Sequence, residues 1–283
     1  MASGVGTVER FAAMGTRVEL HAFGSLPEQA DLLAAARRAV EAVDDALTIH
    51  RPSPTTALNE ALMAGEPAAI DDPLLFDALV LVDEGHAATL ELFDVAADAR
   101  RGGSWRWVTF DREMRRICAE APLALDFGGM GKGFALDRAA TLLRAGGVGS
   151  ALLSAGESSI VVVGAHPLGG GWPFAIPHPL MEREQLVEVE LHDEALSVSA
   201  SVGAGTLAPE RAATIRPHDA HAVIAPRCTV AIAPTGAAAE MASTALMAAD
   251  PVRARRLLHT APNGRFRFEL GAASPARPTR MCA

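Results

Sequence analysis

The chain has 283 residues, of which 49% are hydrophobic and 21% are charged, and its net charge is −9. This composition excludes a disordered chain and a coiled coil, and the acidic balance argues against a general nucleic-acid-binding protein, which needs a basic face. Among the 25 basic residues the only lysine is Lys132, and tyrosine is absent. A bias towards arginine can arise from genome composition, so the lysine count alone does not indicate function. The residues around Lys132 must show whether it has a role.

The chain ends and the cysteines bear on location and on metal binding. The first residues lack the basic start and apolar run of a secretory signal or lipoprotein anchor, and no stretch approaches the roughly 18 apolar residues of a membrane helix. Cys118, Cys228 and Cys282 lie far apart and lack CxxC spacing, so they predict neither a disulfide framework nor a zinc site. We expect a cytoplasmic protein without a membrane anchor.

The first half of the chain alternates predicted strands and helices. Alternating apolar residues after Gly15 predict a strand, and Pro27 begins an amphipathic helix that runs to about Ala46. Further along we expect a loop over 51–56, a helix over 74–91, a hairpin over 105–118 that turns at 111–112, a helix over 134–145, and strands at 152–153 and 160–163. Gly146 and Gly147 are expected to end the third helix.

The second half is richer in strands. We expect strands over 186–191, 195–199, 222–224, 229–233 and 265–269, and helices over about 236–248 and 251–259. Because strands and helices do not alternate strictly, the pattern predicts an α+β fold with a mainly antiparallel sheet. No interior linker separates two units, so we expect one domain over 1–270 and a frayed tail over 271–283.

A glycine-rich segment that surrounds the single lysine is the most informative stretch. Gly128, Gly129, Gly131 and Gly133 flank Lys132 and immediately precede a predicted helix. Glycines let backbone amides approach an anion, and a helix N-terminus adds positive charge, so the segment suggests a phosphate site. Its spacing fits neither the P-loop nor the GxGxxG fingerprint. The alternative is a tight glycine turn with an exposed lysine.

A carboxylate and a hydroxyl share one face of a predicted helix. Glu240 and Thr244 are four residues apart, so both side chains project from the same side. Such hard oxygen donors suit Mg²⁺, which is held by few protein ligands together with substrate phosphates. The alternative is an ordinary solvated helix face, the commoner outcome for a lone pair of this kind.

Two further polar positions are candidates for chemistry. Asn59 ends a polar loop, where asparagine most often caps a helix or turn. His218 and His221 could act as general bases near neutral pH, although most of the nine histidines must be surface or packing residues. The sequence contains no Gly-x-Ser-x-Gly elbow and no HExxH zinc motif, which removes the common hydrolases.

Taken in order, these motifs resemble those of the FAD:protein FMN transferase family, often called ApbE-like. The matching blocks are Met14-Gly-Thr16, Thr56-Ala-Leu-Asn59, Phe93-Asp94, the segment from Asp126 to Asp137, Ser154-Ala-Gly-Glu157, and the segment from Ala239 to Leu246. The block around Lys132 is the most specific. The resemblance spans about residues 10 to 250, and it rests on the colinear series rather than on any one block.

The resemblance implies a duplicated tunnelling-fold (T-fold) architecture and a Mg²⁺-dependent reaction. FAD would be cleaved, FMN would pass to a threonine of an acceptor flavoprotein, and AMP would be released. The implied metal ligands are Asn59, the carbonyl of Gly131, Glu240 and Thr244. The implied FAD site comprises Met14, Gly15, Thr16, Asp126, Gly128, Gly129, Gly131, Lys132 and Asp137, and the catalytic candidates are Lys132 and His221.

The sequence also departs from the family pattern at two places. Glu240 stands where the family has an aspartate, so its carboxylate extends one methylene further. The family's histidine-containing block is eroded: Ala222 takes the histidine position, Ala225 takes the aspartate position, and His221 lies one residue early. A residue shifted by one along a strand faces the opposite side.

Two hypotheses follow. The chain is an active FMN transferase, or its relaxed version that hydrolyses FAD to FMN and AMP. Alternatively, it is an FAD-binding protein with weak or no transferase activity. The glycine–lysine segment favours both equally. Asn59 and Thr244 favour the enzyme, whereas Glu240 and the eroded block favour the binding protein.

Overall fold

The computed structural model of the chain describes residues 6–24, 26–98, 102–201, 214–261 and 263–270. Its strands are β1 (Gly6–Ala13), β2 (Thr16–Phe23), β3 (Ala68–Ala69), β4 (Val108–Asp111), β5 (Arg116–Ala119), β6 (Ser150–Ala155), β7 (Ser159–Gly164), β8 (Trp172–Pro177), β9 (Gln185–Leu191), β10 (Ala195–Ala200), β11 (Arg227–Ala233) and β12 (Arg265–Glu269). Its helices are α1 (Gln29–Leu47), α2 (Pro54–Ala64), α3 (Pro73–Ala88), α4 (Gly131–Ala145), α5 (Gly236–Ala248) and α6 (Pro251–Thr260).

A seven-stranded sheet forms the centre of the fold. Its order is β1-β2-β6-β7-β10-β11-β12, and each neighbouring pair is antiparallel. A three-stranded sheet (β3-β5-β4) and the β8-β9 hairpin complete the strand pairing of the described residues. The predicted α+β class with mainly antiparallel sheet is therefore confirmed. The duplicated tunnelling-fold architecture and the single domain over 1–270 stay predictions, and the expected tail over 271–283 lies outside the described residues.

Most predicted elements are present, with four informative differences. Helix α4 begins at Gly131, three residues before the predicted start, so Lys132 lies in its first turn. The strand expected over 222–224 is reduced to a single bridge between Ile215 and Ala222. Helix α2 was not predicted; it begins at Pro54 behind a Ser53 cap that binds the amide of Thr56. Strand β8 was also missed, because it contains two prolines.

The position of the site depends on two helices that lie side by side on the central sheet. Helix α4 packs on β6 and β7, α5 packs on β10 and β11, and the two helices contact each other. Their N-terminal turns meet at Gly133 and Gly236. A Cβ atom added to Gly133 would lie 2.2 Å from the carbonyl carbon of Gly236, so the two backbones are in direct contact. Only glycine permits this approach.

No helix among the described residues is long and apolar enough to cross a membrane.

The glycine contact yields a stability prediction. We expect Gly133→Ala to destabilise the fold by about 1–3 kcal/mol, because the new methyl group must push two backbones apart. Gly149→Ala is the matched control, since a Cβ there meets no atom within 4 Å. Urea unfolding of both variants measures the effect, and equal unfolding free energies for the two would contradict the packing argument.

Candidate active site

A cavity of about 440 Å³ opens where α4, α5, β7 and β10 converge with the loop over 92–97. Among the residues predicted for the site, six line it: Asp126, Gly128, Gly129, Lys132, Glu240 and Thr244. The structure therefore brings the glycine–lysine segment together with the Glu/Thr pair of α5, which is distant from it in sequence.

Glu240 is the centre of the polar contacts in this cavity. Its side chain is 5% exposed. Oε1 accepts a hydrogen bond from Ser159 Oγ at 2.5 Å and forms an ion pair with Lys132 Nζ at 2.9 Å, while Oε2 accepts the backbone N–H of Gly133 at 2.8 Å. A buried carboxylate is tolerated only when it is paired and hydrogen-bonded, and here three donors meet that requirement.

Glu240 of α5 binds the start of α4, and Asp137 of α4 in turn binds the start of α5. Its carboxylate accepts the amides of Gly236 at 2.6 Å and Ala237 at 2.9 Å, which are the first two residues of α5. Burial raises the pKa of Asp137 to about 6, against the opposing effect of those two hydrogen bonds. Asp137 was predicted to bind FAD, but it does not line the cavity.

The glycine segment is held by its own backbone and by Asn59. Asp126 Oδ1 accepts the amide of Gly128 at 2.8 Å. The Asn59 side chain binds the backbone of Leu125 twice, donating to its carbonyl at 2.9 Å and accepting its amide at 2.8 Å. Both polar atoms of the Asn59 amide are thus engaged just ahead of the glycine segment, and Asn59 lies outside the cavity lining.

The Met14-Gly-Thr16 block forms the turn between β1 and β2. Met14 and Gly15 have φ values of 55° and 68°, and this pair of left-handed residues is typical of a two-residue hairpin turn. The Met14 methyl group lies 3.0 Å from where a Cβ would stand on Gly131. The turn therefore supports the start of α4, and neither it nor Gly131 lines the cavity.

His221 lies elsewhere. Its side chain is 73% exposed, and its Nδ1 is 2.8 Å from the carbonyl oxygen of Asp219. It belongs to a second cavity of about 900 Å³, next to the start of α6. The structure does not bring His221 together with Lys132.

Sequence reasoning gave no role to several polar residues of the first cavity, although Asp94 belongs to the matched Phe93-Asp94 block. Asp94 has a side chain that is 1% exposed, and it accepts hydrogen bonds from the amides of Ala96 and Trp105. Ser159 was also missed, although a serine pair directly after the Gly156 turn was a visible signal. Three more serines form a cluster: Ser243 Oγ lies 2.9 Å from Ser197 Oγ and 3.0 Å from Ser199 Oγ.

The charges of the cavity are unbalanced. Among the described residues, its lining contains three carboxylates, from Asp94, Asp126 and Glu240, and one ammonium group, from Lys132. Anions are therefore not attracted by net charge. A phosphate group there depends on local donors, namely the Lys132 ammonium and the serine and threonine hydroxyls.

Transition-metal sites in proteins are typically built from clusters of His, Cys, Asp and Glu side chains. Within the described ranges, no group of three or more His, Cys, Asp and Glu side chains could hold a metal ion. The predicted ligand set contains only one such side chain, Glu240, so this finding does not test it.

The comparisons with known proteins agree with the sequence motifs. A model of the ApbE family matches residues 14–266. A flavin transferase ApbE from Vibrio cholerae has a TM-score of 0.78 at 16% identity, covering 94% of this chain and 97% of that one. The ApbE protein of Thermotoga maritima has a TM-score of 0.78 at 17% identity, with 93% of each chain covered. The flavinyl transferase ApbE of Pseudomonas stutzeri has a TM-score of 0.77 at 21% identity, covering 97% and 100%.

At these identities the structural likeness shows a shared fold. No curated protein matches the chain.

The buried Asp137 predicts a pH dependence of stability. Its pKa is about 6 in the folded protein against an ordinary 3.8, so the folded state holds this proton more tightly than the unfolded chain. The resulting stabilisation is complete below pH about 4 and is lost as the pH rises through about 6, by about 3 kcal/mol in total.

Asp137→Asn removes this titration. We expect the difference in unfolding free energy between wild type and variant to shift by that amount between pH 4 and pH 7, as measured by urea unfolding at several pH values. Taking the difference cancels the titration of the other carboxylates. A difference that stays constant with pH would show that the Asp137 carboxyl titrates normally.

Proposed function

Because the chain belongs to the ApbE family, we propose that it is a flavin transferase that cleaves FAD, attaches the FMN half to a threonine of an acceptor flavoprotein and releases AMP. The observation that supports this most is the position of Lys132. The residue at the centre of the family-like motif lies in the first turn of α4 and lines a cavity with Thr244 and Glu240.

The proposed reaction is a phosphoryl transfer. The acceptor hydroxyl oxygen forms a bond to the phosphorus of the FMN half, and the bridging P–O bond of the pyrophosphate breaks. AMP leaves with the electron pair, and the hydroxyl proton passes to a base. Lys132 would donate to phosphoryl oxygens as their charge rises, and the amides at the start of α4 would add partial positive charge.

The identity of the base stays a prediction. His221 was the sequence candidate, but its ring is exposed at the second cavity. The carboxylate nearest to Lys132 is Glu240, which already accepts three hydrogen bonds or ion pairs.

Mg²⁺ is the cofactor that the family resemblance implies, and the described contacts do not fit it. Asn59 and Gly131 lie outside the cavity lining, and the Asn59 amide is engaged by Leu125. Glu240 has its own donors, and Thr244 Oγ1 lies 3.5 Å from the carbonyl oxygen of Gly129. The four-ligand set stays a prediction.

A second candidate function is FAD binding with little or no transfer. Two observations favour it: Glu240 is engaged by Lys132, and His221 does not line the cavity. The intermediate case is an FAD pyrophosphatase, in which water replaces the threonine and yields FMN and AMP.

Incubation with FAD distinguishes these functions. We expect AMP to be released slowly with water as acceptor and faster with a flavoprotein domain that ApbE enzymes modify, with FMN becoming covalently attached to that domain. Chromatography follows AMP, and mass spectrometry follows the attached FMN. Tight FAD binding without AMP under either condition would rule out the transferase and leave the binding protein.

Lys132→Ala tests the phosphate contact. We expect FAD binding to weaken by about 1–3 kcal/mol, because charge-assisted hydrogen bonds to phosphate are lost. Quenching of flavin fluorescence measures the affinity. Arg138→Ala is the matched control, since Arg138 is an exposed cation of the same helix that pairs with Asp77. Equal affinities for both variants would contradict a role for Lys132 in FAD binding.

A further inference from the structure

We propose that Lys132, and not a divalent metal ion, is the cation that binds the Glu240 carboxylate in this chain. The proposal rests on the proposed function only for the identity of the ligand, FAD. The proposal concerns which cation binds the Glu240 carboxylate, and the bound cation can be identified without following any reaction.

The first argument is the number of donors that Glu240 already binds. Each carboxylate oxygen has two lone pairs, and those of Oε1 are directed to Lys132 Nζ at 2.9 Å and Ser159 Oγ at 2.5 Å. Oε2 binds the amide of Gly133, whose backbone is fixed against α5. Three of the four lone pairs are thus engaged, and Mg²⁺ demands near-octahedral geometry at about 2.0–2.1 Å, so a metal ion could use only the remaining lone pair of Oε2 unless Glu240 gave up one of these contacts.

The second argument is charge. Glu240 is buried, and only 24% of the Lys132 side chain is exposed. If a metal ion took the place of Lys132, the partly buried ammonium group would be left without its counter-charge, which is unfavourable. A metal ion that displaced Lys132 from Glu240 would place an ammonium group and a divalent cation side by side. Binding of the metal would have to overcome that repulsion.

The third argument is the length of the side chain. Glu240 stands where the family motif has aspartate, and its additional methylene lets one carboxylate on α5 reach both Ser159 on β7 and Lys132 on α4. An aspartate at this position would be shorter by about 1.5 Å, one carbon–carbon bond. The substitution thus favours the internal ion pair.

The consequence for the ligand follows from the donors of Lys132. An ammonium group has three N–H donors, and one of them is sufficient for Glu240. Lys132 also lines the cavity. The same ammonium group can therefore hold Glu240 and donate to a phosphoryl oxygen of FAD, with no metal ion between the phosphate and the carboxylate.

The single lysine makes this testable by NMR. Protein grown with ¹⁵N-labelled lysine gives one side-chain ammonium resonance, that of Lys132. In the wild type without FAD, we expect the resonance to be protected from exchange by its ion pair and to stay in place when Mg²⁺ is added to millimolar concentration. In Glu240→Gln it should shift or broaden into exchange with water. Ser159→Ala is the matched control, since it removes the hydroxyl donor and keeps the ion pair.

A saturable movement of the wild-type resonance with Mg²⁺ that is absent in Glu240→Gln would overturn the proposal. Should Glu240→Gln fail to fold, calorimetric titration of the wild type with Mn²⁺ decides: we expect no stoichiometric site, and finding one would overturn the proposal.

FAD affinity measured in EDTA and in Mg²⁺ should agree within about twofold. A loss of about tenfold or more in EDTA would show that a metal ion is needed for binding.

These outcomes are separable from those of the proposed function. Metal-independent FAD binding without AMP release would refute the transferase and support the role of Lys132. AMP release together with a Mg²⁺-sensitive lysine resonance would support the transferase and refute the role of Lys132.

Discussion

The N-termini of α4 and α5 are held together because each helix supplies a carboxylate that accepts backbone amides of the other. The site is built around this reciprocal capping. Asp137 of α4 accepts the first two amides of α5, and Glu240 of α5 accepts the amide of Gly133 in the first turn of α4. Each carboxylate therefore satisfies donors that a helix leaves without intrahelical partners, and each complements the positive end of the other helix. The direct contact of Gly133 with Gly236 brings the two helix N-termini close enough for this reciprocal capping.

This arrangement determines where Lys132 lies. Because it follows Gly131 in the first turn of α4, its side chain is close to the carboxylate that crosses from α5. Asn59 fixes the preceding segment through Leu125, and the Met14 turn packs on Gly131. Residues that the family motifs select thus fall into two groups. Some line the cavity, and others hold the glycine segment in position from outside it.

The sequence predicted the fold class and most elements because apolar segments are separated by turn residues in this chain. Strand β2 and helix α1 were recognised by alternation and by amphipathic periodicity. Sequence-based prediction failed where tertiary contacts determine the secondary structure. The glycines at 131 and 133 suggest a loop by propensity, yet the packing of α4 on α5 makes them helical. The short bridge at Ala222 and the proline-containing β8 have no strong local pattern.

The candidate site was predictable in part for the same reason. Lys132, Glu240 and Thr244 were identified by motif and spacing, and they share one cavity. Ser159 was missed, because the Ser158-Ser159 pair does not show by itself that Glu240, 81 residues away, is its partner. The roles of Asp137 and Asn59 could not be separated from ligand binding by sequence alone. A carboxylate that caps a helix and one that binds a nucleotide are the same residue type in the same motif.

The solitary lysine has a chemical consequence for any handling of this protein. Apart from the amino terminus of the chain, Lys132 is the one aliphatic amine available for acetylation, carbamylation, reductive methylation or coupling to a surface. In most proteins such reactions are spread over many harmless positions. Here they converge on an ammonium group that is ion-paired with Glu240 and lines the cavity. The extent of Lys132 modification in a preparation is therefore also a measure of how much of its cavity has been altered.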